Sequence, residues 1–340
     1  MFARTLQLQS FGPTETSLHL KTVELPEPGK GQILLRMEAS PIHPADLLLI
    51  KGKYGLLPEL PAVVGNEGVG RIVRCGEGVH SLQAGDLVLP GTSGMWTEAR
   101  LAEADDCILL PRELDIFQAA QITVAPLTAY WMLTSILSLP TGSWVVQNAA
   151  NSAVGRCVIQ IARCLRLKTL NVVRRADLRE ELLELGADTV IIEEDLEATI
   201  KNFYESALPR LALNAVGGAS GLALANTLAP GGIHLTYGAI SRQPLTIPET
   251  LLIYKNIVFK GFWRTSHWNS FTVDERQAVI HQLVQWVENG SLHLPVEKTY
   301  PIQDFQLAIS HAQQEKRSGK ILLKFPHDIT DIPRPTNTFF

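Results

Sequence analysis

The sequence lacks most of what marks a secreted, membrane-bound or nucleic-acid-coating protein. Its four cysteines, Cys75, Cys107, Cys157 and Cys164, stand apart with no C-x-x-C pair, so neither a disulfide framework nor a zinc ribbon can be read from them. A reducing, intracellular setting is expected. No stretch approaches the roughly 18 uninterrupted apolar residues that a membrane helix requires. Residues 1–10, MFARTLQLQS, show neither an apolar signal core nor an arginine-rich amphipathic leader. The expectation is a soluble, cytoplasmic chain, although a mature mitochondrial chain would read the same way. Thirty Lys and Arg against 34 Asp and Glu leave a net charge of −4, too little to draw nucleic acid or an anionic membrane onto the surface. Any anion site must be local.

What is present is enough for two domains: 340 residues, at roughly 100 to 200 residues per domain. Hydrophobic residues at 46% and charged residues at 19% exclude global disorder. There is no internal repeat and no low-complexity tract. Glycine and proline punctuate the front of the chain, where 13 of 25 glycines and 8 of 20 prolines fall in the first 94 residues. Short aliphatic runs at 32–39 and 70–75, bounded by Gly or Pro, predict strands of a compact β-rich unit.

After about residue 120 the texture changes to apolar runs alternating with helical patterns. WVVQN at 144–148 reads as a strand. Val154, Val158, Ile161, Ala162 and Leu165 then recur at three- and four-residue steps, giving one helix face able to pack on a sheet. A second apolar run at 169–173 precedes the helical LREELLELG, whose Gly186 suits a helix C-terminus. Further strands are predicted at 189–192, 211–214, 233–237 and 258–262. Strands separated by helices imply a parallel, doubly wound α/β sheet. The last seventy-odd residues, with helices near 274–289 and 304–314 and a strand at 321–325, are too few for a third domain. They are expected to complete the first, giving one domain from 1–124 and 266–340 with 125–265 inserted in it. The aperiodic tail at 327–340, containing Pro333 and Pro335, is expected to wrap the surface or hang loose.

The segment Ala150-Asn151-Ser152-Ala153-Val154-Gly155 keeps only the last glycine of G-x-G-x-x-G. It lies between a predicted strand and a predicted helix, where small residues let backbone amides and the helix dipole approach a pyrophosphate. An ordinary tight turn is the alternative. At the end of the second strand, where an NAD enzyme carries Asp or Glu, Val173 is followed by Arg174 and Arg175. Two guanidiniums there suit the 2′-phosphate of NADPH. One of two adjacent side chains is enough for that contact, and Arg175 reads equally as a solvated charge.

PIHPADLLLIKGKYG and LPELPAVVGNEGVG, between residues 41 and 70, bring a family into view, together with QNAANSAVG, NVVR, RLALNAVGG, KGFW and SGKILL. From about residue 5 to Phe325 the chain resembles the medium-chain dehydrogenase/reductase superfamily, and within it the trans-2-enoyl-thioester reductases of the mitochondrial enoyl-CoA/ACP type, with quinone oxidoreductases as relatives. The resemblance implies a GroES-like β-rich catalytic domain joined to a Rossmann domain that binds NADPH. Zinc-dependent members carry a Cys near Pro41 or His43, a G-H-E motif and a four-cysteine lobe. Here the G-H-E position reads Gly65-Asn66-Glu67 and the cysteines stand alone, so no catalytic zinc is expected. His43, beside two prolines, reads as a structural or solvated residue.

Without a metal, reducing a conjugated thioester needs another acid, because hydride added at Cβ leaves an enolate that must be protonated at Cα. The resemblance places the proton donor at Tyr54, in Gly52-Lys53-Tyr54-Gly55. Phenols ionise only near pH ~10, so a tyrosine can donate at neutral pH. Read alone, an isolated loop tyrosine is as readily a packing residue. The resemblance also implies cofactor contacts from Asn151, Ser152, Ala153 and Val154, from Arg174, Arg175 and Ala176, from Tyr237, Gly238, Ala239 and Ile240, from Phe262, Trp263 and Arg264, and from Lys320. Phe262 reads equally as a core aromatic, whereas Trp263 is expected at a cleft, lining an acyl groove. The sequence departs from the family at Ala125, where an Asn is usual before the proline, and at Arg174-Arg175-Ala176, where R-D-R is usual. The implied activity is NADPH-dependent reduction of an enoyl-CoA or enoyl-ACP by a homodimer, joined at an edge such as 258–262, without membrane or nucleic-acid partners. A quinone or enone reductase and a non-catalytic NADPH-binding protein are the alternatives.

Overall fold

The computed structural model describes residues 1–91, 93–202 and 207–326. The tail at 327–340 lies outside the described residues. The chain divides into two compact units. One comprises Met1–Val124, Ile280–Glu288 and the chain from His293 onward, the other Ala125–Val279 and Asn289–Leu292.

In the first unit, β1 (Phe2–Leu8) pairs antiparallel with β2 (Leu18–Glu24) and β4 (Ala62–Val63). The larger sheet is built around β3 (Gln32–Pro41), flanked by β5 (Val69–Cys75) and β16 (Lys320–Lys324), with β7 (Ala99–Glu103) also pairing on β3. β6 (Leu87–Leu89) and β8 (Ile108–Leu110) extend one side and β15 (Val296–Pro301) the other. Ile33, Leu35 and Met37 are fully buried at every second position of β3, the spacing that puts them on one face of a strand. They pack with Leu6, Leu8, Trp96, Ile321 and Leu323 in one core. The returning C-terminal strand therefore shares that core with the N-terminal ones.

In the second unit six parallel strands run in the order β11-β10-β9-β12-β13-β14, namely Thr189–Ile192, Lys168–Val173, Trp144–Gln147, Leu211–Asn214, Ile233–Thr236 and Val258–Gly261. Helices cover both faces, and for that reason apolar residues can follow one another without alternation, as at Val145-Val146 and Val172-Val173, all buried. Val146, Leu170, Val172 and Ala212 pack with Leu224 and Leu228 in one cluster, while Val173 and Val190 pack with Ile159 and Leu182 in another. The strand at 144–147 stops one residue short of the expected end, and those at 233–236 and 258–261 do likewise. Gly186 follows the helix Arg179–Glu184 at φ +109, a conformation open to glycine.

One expected boundary differs. The sequence returns the chain to the first unit at 266, whereas residues 266–279 belong to the second. Aromatic packing holds them there: Trp131, buried in the helix Ala125–Thr134, has His267, Trp268 and Phe271 around it at ring-centroid distances of 5.1, 6.0 and 5.2 Å. The crossing takes place within the helix Val273–Glu288.

The loop after β4 turns at Gly65, whose φ is +107. A Cβ there would strike the Trp96 ring and come within 2.8 Å of the Trp96 amide nitrogen. Gly65→Ala is expected to destabilise the protein by roughly 1–3 kcal/mol, measured as a lower urea midpoint with an unchanged slope.

Candidate functional site

The second unit winds one way from β9 to β11 and the other way from β12 to β14, so the order reverses between β9 and β12. In open parallel sheets the loops leaving such a reversal diverge and open a crevice at the carboxyl ends of the strands. The turn 148–155 leaves β9 at this place. Ser152 caps the twelve-residue helix Ala153–Cys164, its hydroxyl accepting from the Gly155 amide at 3.1 Å. Gly155 is where this helix crosses the strand end: a Cβ would lie 2.6 Å from the Ala150 carbonyl oxygen. Ala149 takes φ +48, a left-handed conformation that an alanine adopts at a cost.

Two buried asparagines hold the crevice together. Asn148 Nδ2 donates to Asn214 Oδ1 at 2.9 Å, and Asn148 Oδ1 accepts from the Ala215 amide at 2.7 Å. Asn214 Oδ1 also accepts from the amides of Val216 and Gly217, and its Nδ2 donates to Thr236 Oγ1. The segment after β13 is stitched to the same place, with the Tyr237 amide on the Asn214 carbonyl and the Ile240 amide on that of Ala215. Gly238 is needed in this stitch, because a Cβ would stand 2.7 Å from the Ala215 carbonyl oxygen. Burial pushes the Tyr237 phenol well above its ordinary range; Ser152, beside it, offsets part of that push. The hydroxyl nevertheless makes no hydrogen bond of normal geometry among the described residues.

Beyond β10, Arg174 and Ala176 are exposed. Arg175 is half-buried and its Nε lies 3.5 Å from Asp177. A cavity of about 210 Å³ runs along β11 and is lined by Val173, Ala176, Arg179, Ile192 and Asp195, among others. Arg179, a third arginine near this strand end, opens the helix Arg179–Glu184. Ile240 and Trp263 present their side chains to solvent at 62% and 41% exposure, and Arg264 opens a short helix. Phe262 is 8% exposed and its ring lies 5.1 Å from that of His267. Ala125 and Pro126 are buried within their helix.

In the first unit, Tyr54 follows the helix Pro44–Ile50. The helix closes with the Gly52 amide on the Leu49 carbonyl and the Lys53 amide on that of Leu48, and Gly52, at φ +67, packs on Phe11. This is the αL closure that ends a helix at glycine. At the other end His43 is the N-cap residue and its amide donates to Asp46 Oδ2 at 2.7 Å. Asp46 Oδ1 accepts from the Asn66 amide and from Asn66 Nδ2. Burial pushes the Asp46 carboxyl up, while His43, Lys320 and its hydrogen bonds pull it down. His43 Nε2 lies 2.5 Å from Glu67 Oε1, and Lys320 Nζ lies 2.9 Å from His43 Nδ1.

The chain is 40% identical over 328 residues to mouse (Mus musculus) mitochondrial enoyl-[acyl-carrier-protein] reductase, with 94% of this chain and 88% of the relative covered. Residues 29–112 match the alcohol dehydrogenase GroES-like domain and residues 153–285 the zinc-binding dehydrogenase family. The chain belongs to the medium-chain dehydrogenase/reductase superfamily. Two solved structures of the superfamily share its fold over 96% of this chain and 100% of theirs. The complex of Etr1p with NADP and crotonyl-CoA superimposes with a TM-score of 0.88 at 30% identity. A putative NADPH:quinone reductase from Bacillus thuringiensis does so with a TM-score of 0.89 at 30% identity.

Zinc does not fit this member of the superfamily. Among the described residues no group of three His, Cys, Asp or Glu is arranged to hold a metal. At the expected ligand positions, both nitrogens of His43 are engaged by Glu67 and Lys320, and Asn66 is spent on Asp46. A dinucleotide does fit. The capped helix start, the small residues at 149–155 and the unpartnered Tyr237 hydroxyl, beside the cap, offer donors at the strand reversal. For this member of the superfamily Ser152→Ala is expected to cost about 1 kcal/mol, read from chemical unfolding without ligand, and to weaken dinucleotide binding in a fluorescence titration.

Proposed function

We propose that the protein is an NADPH-dependent reductase of trans-2-enoyl thioesters, carried by CoA or by acyl carrier protein. The observation that carries this reading is end-to-end similarity to a protein named for the reaction, together with a cationic rather than acidic end to β10. In this reading the parallel-sheet unit holds the cofactor and the β-rich unit supplies the acid. NADPH, when bound, supplies hydride to Cβ of the substrate. Asn151, Ser152, Ala153 and Val154 present amides to the pyrophosphate, and Arg174 faces the 2′-phosphate, with Arg175 and Ala176 beside it. Tyr237, Gly238, Ala239, Ile240 and Arg264 edge the nicotinamide, and Lys320 adds a cation. Trp263, exposed beyond the end of β14, lines the acyl chain. Tyr54 donates its phenolic proton to Cα, completing the reduction without leaving charge on the substrate. The proposed setting is a reducing compartment, the cytoplasm or the mitochondrial interior. No helix among the described residues is long and apolar enough to cross a membrane.

A homodimer is part of the proposal. β14 is an edge strand of the parallel sheet, and Ile253, Tyr254 and Val258 near it are 69%, 80% and 39% exposed. Unpaired edge strands beside apolar side chains favour pairing across a two-fold axis.

A second reading, reduction of free quinones or enones, is favoured by the likeness to the putative quinone reductase. NADPH oxidation across a panel of enoyl-CoA thioesters, quinones and enones separates the two. Preference for thioesters is expected, and a clear preference for quinones would replace the first reading with the second. Tyr54→Phe should retain NADPH binding and lower the thioester reduction rate by about 10²- to 10⁴-fold. Arg174→Ala should raise KM for NADPH about tenfold or more while leaving that for NADH little changed, as expected for loss of one charge-assisted phosphate contact.

A further inference from the structure

We infer that His43 is a positioning residue for Tyr54, acting through the hydrogen-bonded chain Lys320–His43–Glu67; this rests on the reading of Tyr54 as proton donor. His43 is 4% exposed and Glu67 1%. Lys320 Nζ lies 2.9 Å from His43 Nδ1, and an ammonium has only donors, so Nδ1 accepts. The single ring proton of the neutral imidazole then stands on Nε2 and is donated to Glu67 Oε1 at 2.5 Å. The second carboxylate oxygen accepts from Thr123 Oγ1 at 2.9 Å and from the Val124 amide at 2.8 Å. Both nitrogens of the ring and both oxygens of the carboxylate are thereby committed. Turning the ring over would set a C–H against each partner, which fixes one orientation.

That orientation matters because of where His43 sits. It is the N-cap residue of the helix Pro44–Ile50, and its own amide is held by Asp46, which Asn66 holds in turn. The start of this short helix is thus tied to the beginning of β16 through Lys320 and to the 65–67 turn through Glu67 and Asn66. Its end is closed at Gly52, two residues before Tyr54. A seven-residue helix spans only about 10 Å, so a shift at its start moves the tyrosine. A displacement of about 1 Å at a reacting group is enough to lose on the order of a hundredfold in rate.

A buried histidine with a purely structural role would also be hydrogen-bonded, and the experiment distinguishes the two. With a short trans-2-enoyl-CoA as probe, His43→Leu should lower kcat by about 10- to 100-fold and leave the NADPH dissociation constant within about twofold, measured by NADPH fluorescence. His43→Asn, which keeps an acceptor close to the place of Nδ1, should restore most of kcat. In a Tyr54→Phe background His43→Leu should add no further loss, since there is then no proton donor to misplace. Glu67→Gln, which puts an amide where both neighbours donate, should repeat this pattern if the leucine variant does not fold. Nitrogen-15 NMR of the wild-type protein at neutral pH should show His43 protonated at Nε2 and bare at Nδ1. Losses that multiply in the double variant, failure of asparagine to rescue a folded protein, or a proton on Nδ1 would each overturn the inference. Should Tyr54→Phe alone leave reduction unchanged, it is the reading of Tyr54 that fails.

Discussion

The hydrogen bond between Asn148 and Asn214 is the contact on which the second unit's usable surface depends. Where the winding of a parallel sheet reverses, the loops on either side diverge, and the backbone groups at the two central strand ends lose the neighbours that the ladder would give them. A buried amide or carbonyl left in that state costs about 1–3 kcal/mol. The two asparagines satisfy four backbone or side-chain donors from within the fold. The crevice stays open without orphaned groups, and the loops after β9, β12 and β13 keep fixed places. The cap at Ser152 and the stitch at Tyr237 both hang on strand ends secured in this way.

The first unit meets the same difficulty with charge instead of dipole. Glu67 and Asp46 are almost wholly buried, and a buried carboxylate without partners is far costlier than a buried amide. Each is surrounded by donors from distant parts of the chain: Asn66 and the His43 amide for Asp46, and His43, Thr123 and Val124 for Glu67. Lys320 brings the cation, arriving on a strand that begins more than two hundred residues later. The C-terminal return of the chain is therefore an electrostatic necessity for the loop at 65–67 as well as a hydrophobic one for the core of β3.

How much of this could be read from the sequence depended on the range of the interaction. Strand positions in the second unit came out within a residue or two, because a strand buried on both faces writes a local apolar run. Gly186 could be read because its reason is local, a helix that must stop. The return at 266 could not, because Trp131 sits in a helix more than a hundred residues away and only the folded chain shows His267, Trp268 and Phe271 gathering on it. Phe262 and Trp263 are adjacent aromatics with the same composition signal, and only the direction of the strand end separates the buried ring from the exposed one. Asn148 and Asn214 read only as the last residues of predicted strands, because the bond between them joins positions 66 residues apart.

His43 shows the limit most plainly. In the sequence it is one imidazole between prolines, and the absence of a cysteine or of G-H-E argues only that a metal site is incomplete. The structure adds a positive reason. A zinc ion needs ligands with lone pairs to give and hydrogen-bond partners behind them to orient them. Here the lone pair at Nδ1 is taken by an ammonium, the proton at Nε2 is taken by a carboxylate, and the neighbouring amide of Asn66 is taken by Asp46. The polar groups that face one another at this place are already hydrogen-bonded to one another. A dication at Nδ1 would have to displace Lys320, and one at Nε2 would take from Glu67 Oε1 its His43 donor. The positive charge at this place is the ammonium of Lys320, held on His43 rather than on a metal ion.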